Sequence, residues 1–301
     1  MNLSSKISSE TIDLPAHLTV IILTYNSESS ISKVIESVHS IGSRILIVDS
    51  FSSDKTLDIA RSYSTEVVQH EFVNYAAQRN WAQAHADLST NDWVLHLDSD
   101  EVASPELTGQ IKQVLANPLP DIDGYLIKRL TYFLGKPIRH GHLNPNWHLR
   151  LFKAGSGQCE ERLYDQHFIV QGKTAKLKGI LHDLQLVTLE KWTYSHNRWS
   201  TLEAVEVLQS DESYQASMTL KADLSGDPRM QKRWLKNKLY YRTPLFGRAF
   251  LFFLYSYILR LGFLDGKVGL IYGVLQAFWF RFLVDAKIYE QLASKSLPKD
   301  P

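Results

Sequence analysis

The chain has 301 residues, of which 44% are hydrophobic and 22% charged, and its formal net charge is +1. This ordinary globular composition, with Cys159 as the single cysteine, excludes a disordered, collagen-like or disulfide-stapled chain. The near-zero charge argues against a dedicated nucleic-acid-binding protein. That total hides an asymmetry, because residues 228–301 hold 13 Lys and Arg against 4 Asp and Glu, whereas residues 1–227 hold 20 against 28.

Strand and helix patterns alternate along the first hundred residues. Short apolar runs rich in β-branched residues predict buried strands at residues 18–24, 44–49 and 93–100, and a shorter strand at residues 66–69. Between them, apolar residues at spacings of three and four predict helices. The alternation predicts an α/β fold with a Rossmann-like, mainly parallel sheet flanked by helices, whose ligands bind at the carboxyl ends of the strands.

The pattern changes after about residue 120. Strands are predicted at residues 124–130, 148–152 and 167–171, and a helix at residues 188–209 with Thr188 as its N-cap. These elements predict a mixed second half of the same domain. The predicted boundaries are an N-terminal tail (1–17), a catalytic domain (18–209, with halves 18–101 and 102–209), a linker (210–229), a basic helical region (230–290) and a C-terminal tail (291–301).

Acidic residues follow two of the predicted strands. Asp49 ends the second strand, and Asp98 and Asp100 close the strand at residues 93–100. Two carboxylates two residues apart at a strand end suit one hard divalent cation, Mg²⁺ or Mn²⁺, which takes oxygen ligands and bridges to substrate phosphates. The alternative is a solvated Asp-Ser-Asp turn, but the position after a buried strand favours the metal.

Four segments together resemble the inverting glycosyltransferases of family 2, which have the GT-A fold. They are LTVIILTYNSE (18–28), ILIVDSFSSDKT (45–56), QRNWA (78–82) and WVLHLDSDE (93–101). Two later segments are similar to bacterial transferases that build lipopolysaccharide core or surface polysaccharide, namely RLYDQHFIVQGKTAKLKG (162–179) and RLGFLDGKVGLIYG (260–273). The resemblance implies a hexosyltransferase that uses a UDP-sugar, with glucose as the expected sugar, and Mg²⁺ or Mn²⁺.

The resemblance also implies roles for individual residues. Asp98 would contact the ribose or the metal, Asp100 would coordinate the metal, and Arg79 would approach the diphosphate. Asp49 would accept a hydrogen bond from the uracil ring. The other residues of the implied nucleotide pocket are Thr24, Tyr25, Asn26, Ser50 and Asp54.

An inverting transfer needs one carboxylate that takes the proton from the attacking acceptor hydroxyl. Many family members have this base in an acidic pair well after the metal motif, and the candidates here are Glu160, Glu161 and Asp165. Asp165 is favoured because it lies in the segment most similar to the polysaccharide transferases. Close relatives often have His-Glu where this chain has Asp-Gln, so Glu161 stays open as the alternative base.

Two further groups are candidates beside the acids. By resemblance, His182 would be a metal or diphosphate ligand, although a lone histidine is also commonly structural. Trp147, His148 and Arg150 are candidates for the acceptor side, because aromatic faces stack on sugar rings and Arg binds phosphate. The alternative for this group is an ordinary place in the core.

The basic C-terminal part carries two apolar stretches, 249–259 and 268–280, which end at Arg260 and Arg281. Each is shorter than the roughly 20 residues of a membrane-spanning helix. Short apolar helices with Trp and Tyr between cations are typical of the membrane interface. We therefore expect peripheral binding to an anionic membrane surface, the alternatives being a soluble helical subdomain or a dimer contact.

The N-terminus lacks an apolar core of signal-peptide length, which favours the cytoplasmic face of the inner (plasma) membrane. The leading hypothesis is therefore transfer of a hexose from a UDP-sugar to a hydroxyl of a lipid-linked, lipopolysaccharide or exopolysaccharide glycan. A polyprenyl-phosphate sugar transferase would share the nucleotide half. A catalytically silent, membrane-bound scaffold would fail to bind UDP with Mn²⁺.

Overall fold

The computed structural model describes residues 17–42, 44–209 and 219–296. Nearly all of the predicted N-terminal tail, the first part of the predicted linker and the end of the predicted C-terminal tail lie outside these residues. The first elements are β1 (Leu18–Thr24), α1 (Ile31–Val38), β2 (Arg44–Asp49), α2 (Thr56–Ser62), β3 (Glu66–Gln69), α3 (Tyr75–His85), β4 (Trp93–Asp98), β5 (Glu101–Ala103) and α4 (Pro105–Ala116). The next are β6 (Ile122–Phe133), β7 (Lys136–Pro137), β8 (Asn146–Lys153), β9 (Gly157–Cys159), β10 (Phe168–Val170), β11 (Lys173–Asp183) and α5 (Leu189–Gln209).

The main sheet has the strand order β3-β2-β1-β4-β8-β6-β11-β5, with β7 paired to β6. Parallel pairing joins β3, β2, β1 and β4, and it also joins β6 to β11. Strand β8 runs antiparallel between β4 and β6, so β6 and β11 point the same way as β4. The carboxyl ends of β1, β2, β4, β6 and β11 therefore share one edge, and the predicted mixed, mainly parallel α/β sheet is confirmed.

The central strands are apolar on both faces because helices cover both faces of the sheet. In β1, Val20 and Ile22 pack in a core cluster with α1 and α4, whereas Ile21 packs in a second cluster with α3. This alternation follows from the two-residue period of a strand. The continuous apolar runs of the sequence therefore correspond to strands in the centre of the sheet.

Two predicted strands differ from the observed ones. The strand predicted at 93–100 ends at Asp98, because the Asp98 amide donates to the Glu101 carboxylate (3.0 Å) and closes a turn there. The strand predicted at 167–171 is the short β10, which pairs with β9 in a two-stranded sheet separate from the main one. Asn80 of α3 holds this small sheet by two hydrogen bonds to the Cys159 backbone.

The C-terminal region is helical. Its elements are α6 (Pro228–Lys238), α7 (Gly247–Leu254), α8 (Gly266–Tyr272) and α9 (Phe280–Ser296), with short 3₁₀ or π turns at Tyr240–Arg242, Tyr255–Leu259, Gly262–Asp265 and Gly273–Trp279. Helix α6 begins two residues inside the predicted linker.

The second apolar stretch ends at Arg281, but the helix that follows it continues to Ser296. The Arg281 guanidinium pairs with Glu203 of α5 at 2.8 Å, so its charge is neutralised inside the protein and does not end the helix. Among the described residues, Gly262–Ser294 is long and apolar enough to cross a membrane by length and composition alone, with 39% of its apolar window buried against the rest of the protein.

Many cations of the basic region are paired within the molecule. Arg233 binds Glu160, Arg248 binds the fully buried Asp285, and Arg281 binds Glu203. Because charge on these side chains is already neutralised, the excess of +9 in residues 228–301 overstates what an anionic surface would meet. The basic region serves in large part to fix its own helices to the acidic catalytic domain.

Candidate active site

The carboxyl edge of the sheet gathers acidic side chains from three separate parts of the chain. Asp49 ends β2, Asp98 ends β4 with Asp100 in the following turn, and Asp183 ends β11. The register pairs Asp183 with Glu101 at the start of β5. The strand order therefore brings the predicted metal motif beside an acid that the sequence analysis did not select.

Asp49 organises the loop that follows β2. Its side chain is fully buried, and Oδ1 accepts from the Thr24 hydroxyl (2.9 Å) and the Ser52 hydroxyl (2.5 Å). Oδ2 accepts from the Ser52 amide (2.9 Å) and from Gln69 Nε2 (3.2 Å). A uracil ring that donates to Asp49 has to replace one of these bonds, and the mobile hydroxyl of Ser52 is the simplest one to displace.

The predicted pocket residues Asn26 and Asp54 connect two loops. The Asn26 amide donates to the Ser52 hydroxyl and its side-chain oxygen accepts from the Ser53 amide, both at 2.8 Å. Asp54 Oδ2 accepts from the Glu28 amide at 3.1 Å. These bonds hold the loop after β1 against the loop after β2, so both residues fix the two loops at the carboxyl edge of the sheet.

Two exposed aromatic rings follow the same two strands. Tyr25 is 63% exposed, and Phe51, which the sequence analysis did not select, is 59% exposed with a φ of +59°. Next to them, the Ser50 amide donates to the Thr24 carbonyl and its hydroxyl accepts from Gln78 Nε2. Exposed flat rings beside a polar pocket are suited to stacking on a nucleobase.

Asp98 lies between two arginines. Arg79 Nη2 donates to Oδ1 at 2.9 Å, and Arg150 Nη2 donates to Oδ2 at 2.7 Å. Burial alone would raise the pKa of Asp98, but Arg150 and Arg79 hold it well below its ordinary value. Asp98 is therefore permanently ionised. Arg79, the residue predicted to approach the diphosphate, lies against this carboxylate.

An ion-pair network continues from Asp98 under the edge of the sheet. Arg150 also binds the buried Glu101 at 2.6 Å, and Arg129 lies 3.4 Å from Glu101 and 3.6 Å from Asp183. Arg150 is only 3% exposed. This placement favours a role for Arg150 in positioning the acids over the predicted contact with an acceptor.

Asp100 is the acid without a cation of its own. It is half-buried, and the described part of the chain offers its carboxylate no hydrogen bond or ion pair. Burial and the neighbouring carboxylates Asp183, Asp98 and Glu101 raise the pKa of Asp100 well above its ordinary value. An unpaired carboxylate that is repelled by other acids is where a bound cation gains most.

The donor set fits a hard divalent cation that is bound jointly with a substrate. Asp100 offers both carboxylate oxygens and Asp183 offers Oδ1, because its Oδ2 already contacts Arg129, Thr131 and Gln185. Asp98 is engaged by two arginines. Within the described residues no three His, Cys, Asp or Glu side chains form a complete cage. Mg²⁺ commonly needs only one or two protein carboxylates when phosphates supply other ligands.

The structure does not bring His182 to this acidic group. Its Nδ1 lies 3.2 Å from the Tyr132 hydroxyl, and burial lowers its pKa. Successive side chains of a strand point to opposite faces, so His182 and Asp183 diverge. Asp183, one residue later than the predicted ligand, is the residue of β11 that faces the acids.

The favoured base, Asp165, lies in the loop between β9 and β10. Its side chain is 41% exposed, with Lys236 Nζ at 3.3 Å and His167 Nε2 at 3.6 Å. Burial would raise the pKa of Asp165, but Lys236, His167 and Arg233 keep it well below its ordinary value. The carboxylate is therefore ionised and accessible, but its lowered pKa makes it a weak proton acceptor while Lys236 stays paired to it. Glu161 is exposed in the same loop and remains the alternative.

Glu160 has a structural position instead. It is fully buried, it accepts two hydrogen bonds from Arg233 at 2.7 Å each, and it accepts from the amides of His167 and Leu220 at 2.9 Å. Its oxygens are therefore occupied. Glu160 fixes the loop that carries Asp165 and is removed from the set of candidate bases.

The two remaining candidates on β8 differ. His148 is half-buried, its Nε2 has no hydrogen-bond partner among the described residues, and its ring lies 6.2 Å from that of His167. Burial, with Arg129 and Arg150 nearby, lowers the pKa of His148 well below its ordinary value, so the ring is neutral. Trp147 packs against the core with the Lys176 ammonium 5.1 Å from its ring centre. His148 thus lies between the acids and the Asp165 loop.

These features suit a glycosyltransferase, and comparison with known proteins identifies its family. Residues 19–168 match the model of Glycosyl transferase family 2. An uncharacterized glycosyltransferase of Rickettsia bellii is 27% identical over 277 residues, which cover 92% of this chain and 87% of that protein. One from Rickettsia typhi is 25% identical over 207 residues, 65% of this chain and 70% of that protein. The chain belongs to the family 2 glycosyltransferases.

Solved structures include two similar chains. TarS of S. aureus (residues 1–349) is 15% identical and covers 94% of this chain and 93% of that chain at a TM-score of 0.41. Glucosyl-3-phosphoglycerate synthase of Mycobacterium tuberculosis, solved with Mn²⁺ and UDP-glucose, is 21% identical and covers 39% of this chain and 44% of that chain at a TM-score of 0.32. The family and the mixed sheet together confirm the predicted GT-A fold.

Proposed function

We propose that this glycosyltransferase moves a hexose, with glucose as the first candidate, from a UDP-sugar to a hydroxyl of a lipid-linked, lipopolysaccharide or exopolysaccharide glycan, with inversion and with a divalent metal. The observation that carries the proposal is the contrast within the Asp-Ser-Asp turn. Asp98 is neutralised by Arg79 and Arg150, whereas Asp100 faces other carboxylates without a cation. One motif thus holds a fixed anion beside an open cation site.

The residues of the edge then have separate tasks. Tyr25 and Phe51 would stack on the base, and Asp49 would accept from the uracil. Mg²⁺ or Mn²⁺, held by Asp100 and Asp183 together with the donor diphosphate, would neutralise charge on the leaving group. Arg150 and Arg129 keep the acids in place through ion pairs beneath the site.

Proton transfer falls to the loop on the other side of the site. Asp165 would accept the proton of the acceptor hydroxyl as the oxygen attacks the anomeric carbon. Its ionisation is maintained by Lys236, and its backbone carbonyl accepts from Arg233 Nη2 at 3.1 Å. A divalent cation held by Asp100 and Asp183 would stabilise the leaving diphosphate, so no second protein acid would be needed.

A donor panel tests this proposal. Calorimetry with UDP-, GDP- and dTDP-sugars in the presence of Mn²⁺ should show tight binding for a UDP-sugar alone. The matched control is the same titration in EDTA, where binding should weaken by at least tenfold because two anions then face each other. Equal binding with and without metal, or a preference for another nucleotide, would contradict the assignment.

We further propose that the C-terminal helices bind a membrane through apolar contact, on the cytoplasmic face. Several apolar side chains along 250–264 are about half exposed or more, among them Phe250 (52%), Leu251 (56%), Ile258 (51%) and Leu259 (73%). Exposed patches of this kind mark interaction surfaces. Since Arg248 and Arg281 are paired internally, the binding should depend more on apolar burial than on charge.

Vesicle sedimentation tests the membrane proposal. Phe250→Ser with Leu251→Ser should reduce binding strongly, whereas Leu119→Ser, an equally exposed apolar residue of the catalytic domain (55%), should not. Added salt should change the binding little. Binding that disappears at moderate salt, or that survives the double substitution, would refute apolar attachment.

A further inference from the structure

Helix α6 presents two stripes of cations to the catalytic domain. Arg229 and Arg233 are four residues apart and therefore lie on one side of the helix, as Lys232 and Lys236 do on the adjacent side. The arginine stripe anchors the helix, because Arg229 Nη1 donates to the Phe168 carbonyl at 2.5 Å and Arg233 pairs with Glu160. Both contacts are at the ends of the loop that carries Asp165.

The lysine stripe reaches the site itself. Lys236 Nζ lies 3.3 Å from Asp165 and 2.9 Å from Glu203. Lys232 Nζ lies 3.4 Å from Asn146 Oδ1, at the start of β8. The sheet register pairs Asn146 with Arg129, the arginine that contacts Glu101 and Asp183. The two lysines therefore face the space between the Asp165 loop and the acids at the edge of the sheet.

Lys232 differs from the other cations of this space in its partner. Arg129, Arg281 and Lys236 each have a carboxylate partner, whereas within the described residues the partner of Lys232 is the neutral Asn146 amide. The side chain as a whole is exposed. Desolvation of its ammonium and the nearby Arg281, Lys236 and Arg129, against the attraction of Asp165, lower the pKa of Lys232 to about 8. A cation that is repelled by neighbours and free of a carboxylate gains from a bound anion.

We infer that Lys232 binds an oxyanion, a phosphate or a carboxylate, that the acceptor carries near the hydroxyl taken by Asp165. The inference rests on the proposed function, since it assigns that acceptor a chemical class. It explains why the chain places its basic helix next to the base rather than leaving it on the surface. Lys232 would orient the acceptor, and Asp165 would remove its proton.

The test is a calorimetric titration with inorganic phosphate and, separately, acetate, on protein saturated with UDP and Mg²⁺ so that the diphosphate position is filled. Phosphate should bind the wild type, and Lys232→Ala should weaken that binding on the order of tenfold, the range of a hydrogen bond to a charged group. Lys232→Arg should retain it. Lys238→Ala, an exposed cation of the same helix, should leave it unchanged.

The titrations distinguish a phosphorylated acceptor from a carboxylate-bearing one, and failure of this inference from failure of the proposed function. Selective binding of phosphate assigns a phosphorylated acceptor, and equal binding of acetate assigns a carboxylate. The inference is overturned if Lys232→Ala binds phosphate as the wild type does, or if it loses UDP–Mg²⁺ affinity by the same factor, which would make Lys232 a donor ligand. If the wild type binds no UDP, the proposed function fails, while phosphate titration without UDP still reports on Lys232.

Discussion

The donor half of the site and its acceptor side are held together by different means. In the donor half, Asp49 is fixed by the Ser52 amide only three residues away, and short loops after β1 and β2 cross-link each other. On the acceptor side, the loop of Asp165 is fixed by Glu160 and Arg233, which are 73 residues apart. In the donor half, hydrogen bonds hold the loops after β1 and β2, and only the acids that follow β4 need arginines from later strands. The acceptor-side loop depends on buried charges from a distant helix.

The difference concerns energy as well as distance. Removing one partner of a buried ion pair leaves an uncompensated charge and costs several kcal/mol, whereas a lost loop hydrogen bond typically costs about 1 kcal/mol. The free energy of unfolding should therefore respond more sharply to single substitutions and to pH on the acceptor side than in the donor half. Four experiments test this comparison.

Asp100→Ala should have the largest effect. It removes the acid without a cation partner from the donor half, and turnover should fall roughly a thousandfold, as for loss of a main electrostatic contact to the reacting groups. Asp58→Ala, an exposed acid on α2, is the matched control and should keep full activity. Steady-state transfer assays with and without EDTA measure both. Full activity in EDTA would count against the metal.

Asp165→Asn should lower turnover by about a hundredfold to a thousandfold, because it keeps the shape of the side chain but removes the base. UDP binding with Mn²⁺ should stay unchanged, since the donor half is separate. Glu161→Gln is the control in the same loop and should remain active. If Asp165→Asn is active and Glu161→Gln is not, the role of base passes to Glu161.

Arg233→Leu should destabilise the protein by about 3 kcal/mol, because Glu160 is left buried without its cation. The matched control is Arg44→Leu, which removes the largely exposed pair with Glu66 in the donor half and should cost less than about 1 kcal/mol. Urea unfolding measures both free energies. Similar losses would show that the two halves do not differ in the way proposed.

The smallest expected effect is that of pH on His196 of α5. Burial lowers the pKa of His196 to about 4, against the opposing effect of the hydrogen bond that its Nδ1 donates to the Trp192 carbonyl. Between pH 6.5 and 4 the unfolded chain binds more protons than the folded one, so the free energy of unfolding falls as pH falls. Wild type should lose up to about 2 kcal/mol of unfolding free energy between pH 6.5 and pH 5 through this group, and His196→Gln should remove that loss. Urea unfolding at pH 6.5 and at pH 5 measures both proteins. His39→Gln, at an exposed histidine, should leave the pH dependence unchanged.

Sequence patterns predicted the donor half well for a physical reason. Strands β1, β2 and β4 are covered on both faces, so their apolar runs are continuous and easily seen. Asp49 and Asp98 are then easily recognised as the acids at the ends of β2 and β4. Helix α4 was missed although Ser104 and Pro105 provide an N-cap and first turn, with the Ser104 hydroxyl accepting from the Leu107 amide.

The acceptor side was harder to predict because it depends on register. A shift of one residue in the register of β11 decides whether His182 or Asp183 faces the acids. Sequence alone does not fix that register for a strand with polar residues on both faces. Likewise, Arg150 contacts Asp98 only because β8 is inserted antiparallel next to β4. The contacts of Lys232 and Arg233 depend on where α6 packs, and no local sequence pattern predicts that position.

The Glu160–Arg233 pair also has a consequence for how the enzyme is made. The loops after β1 and β2 cross-link each other without help from later segments, but Asp98 needs Arg150 of β8, and the loop of the candidate base receives its fixing arginine only after residue 233 has been synthesised. The contacts that hold the candidate site are thus completed in chain order. A chain truncated before α6 would keep the contacts between the loops after β1 and β2 but would lack the ion pair that fixes the loop of the candidate base.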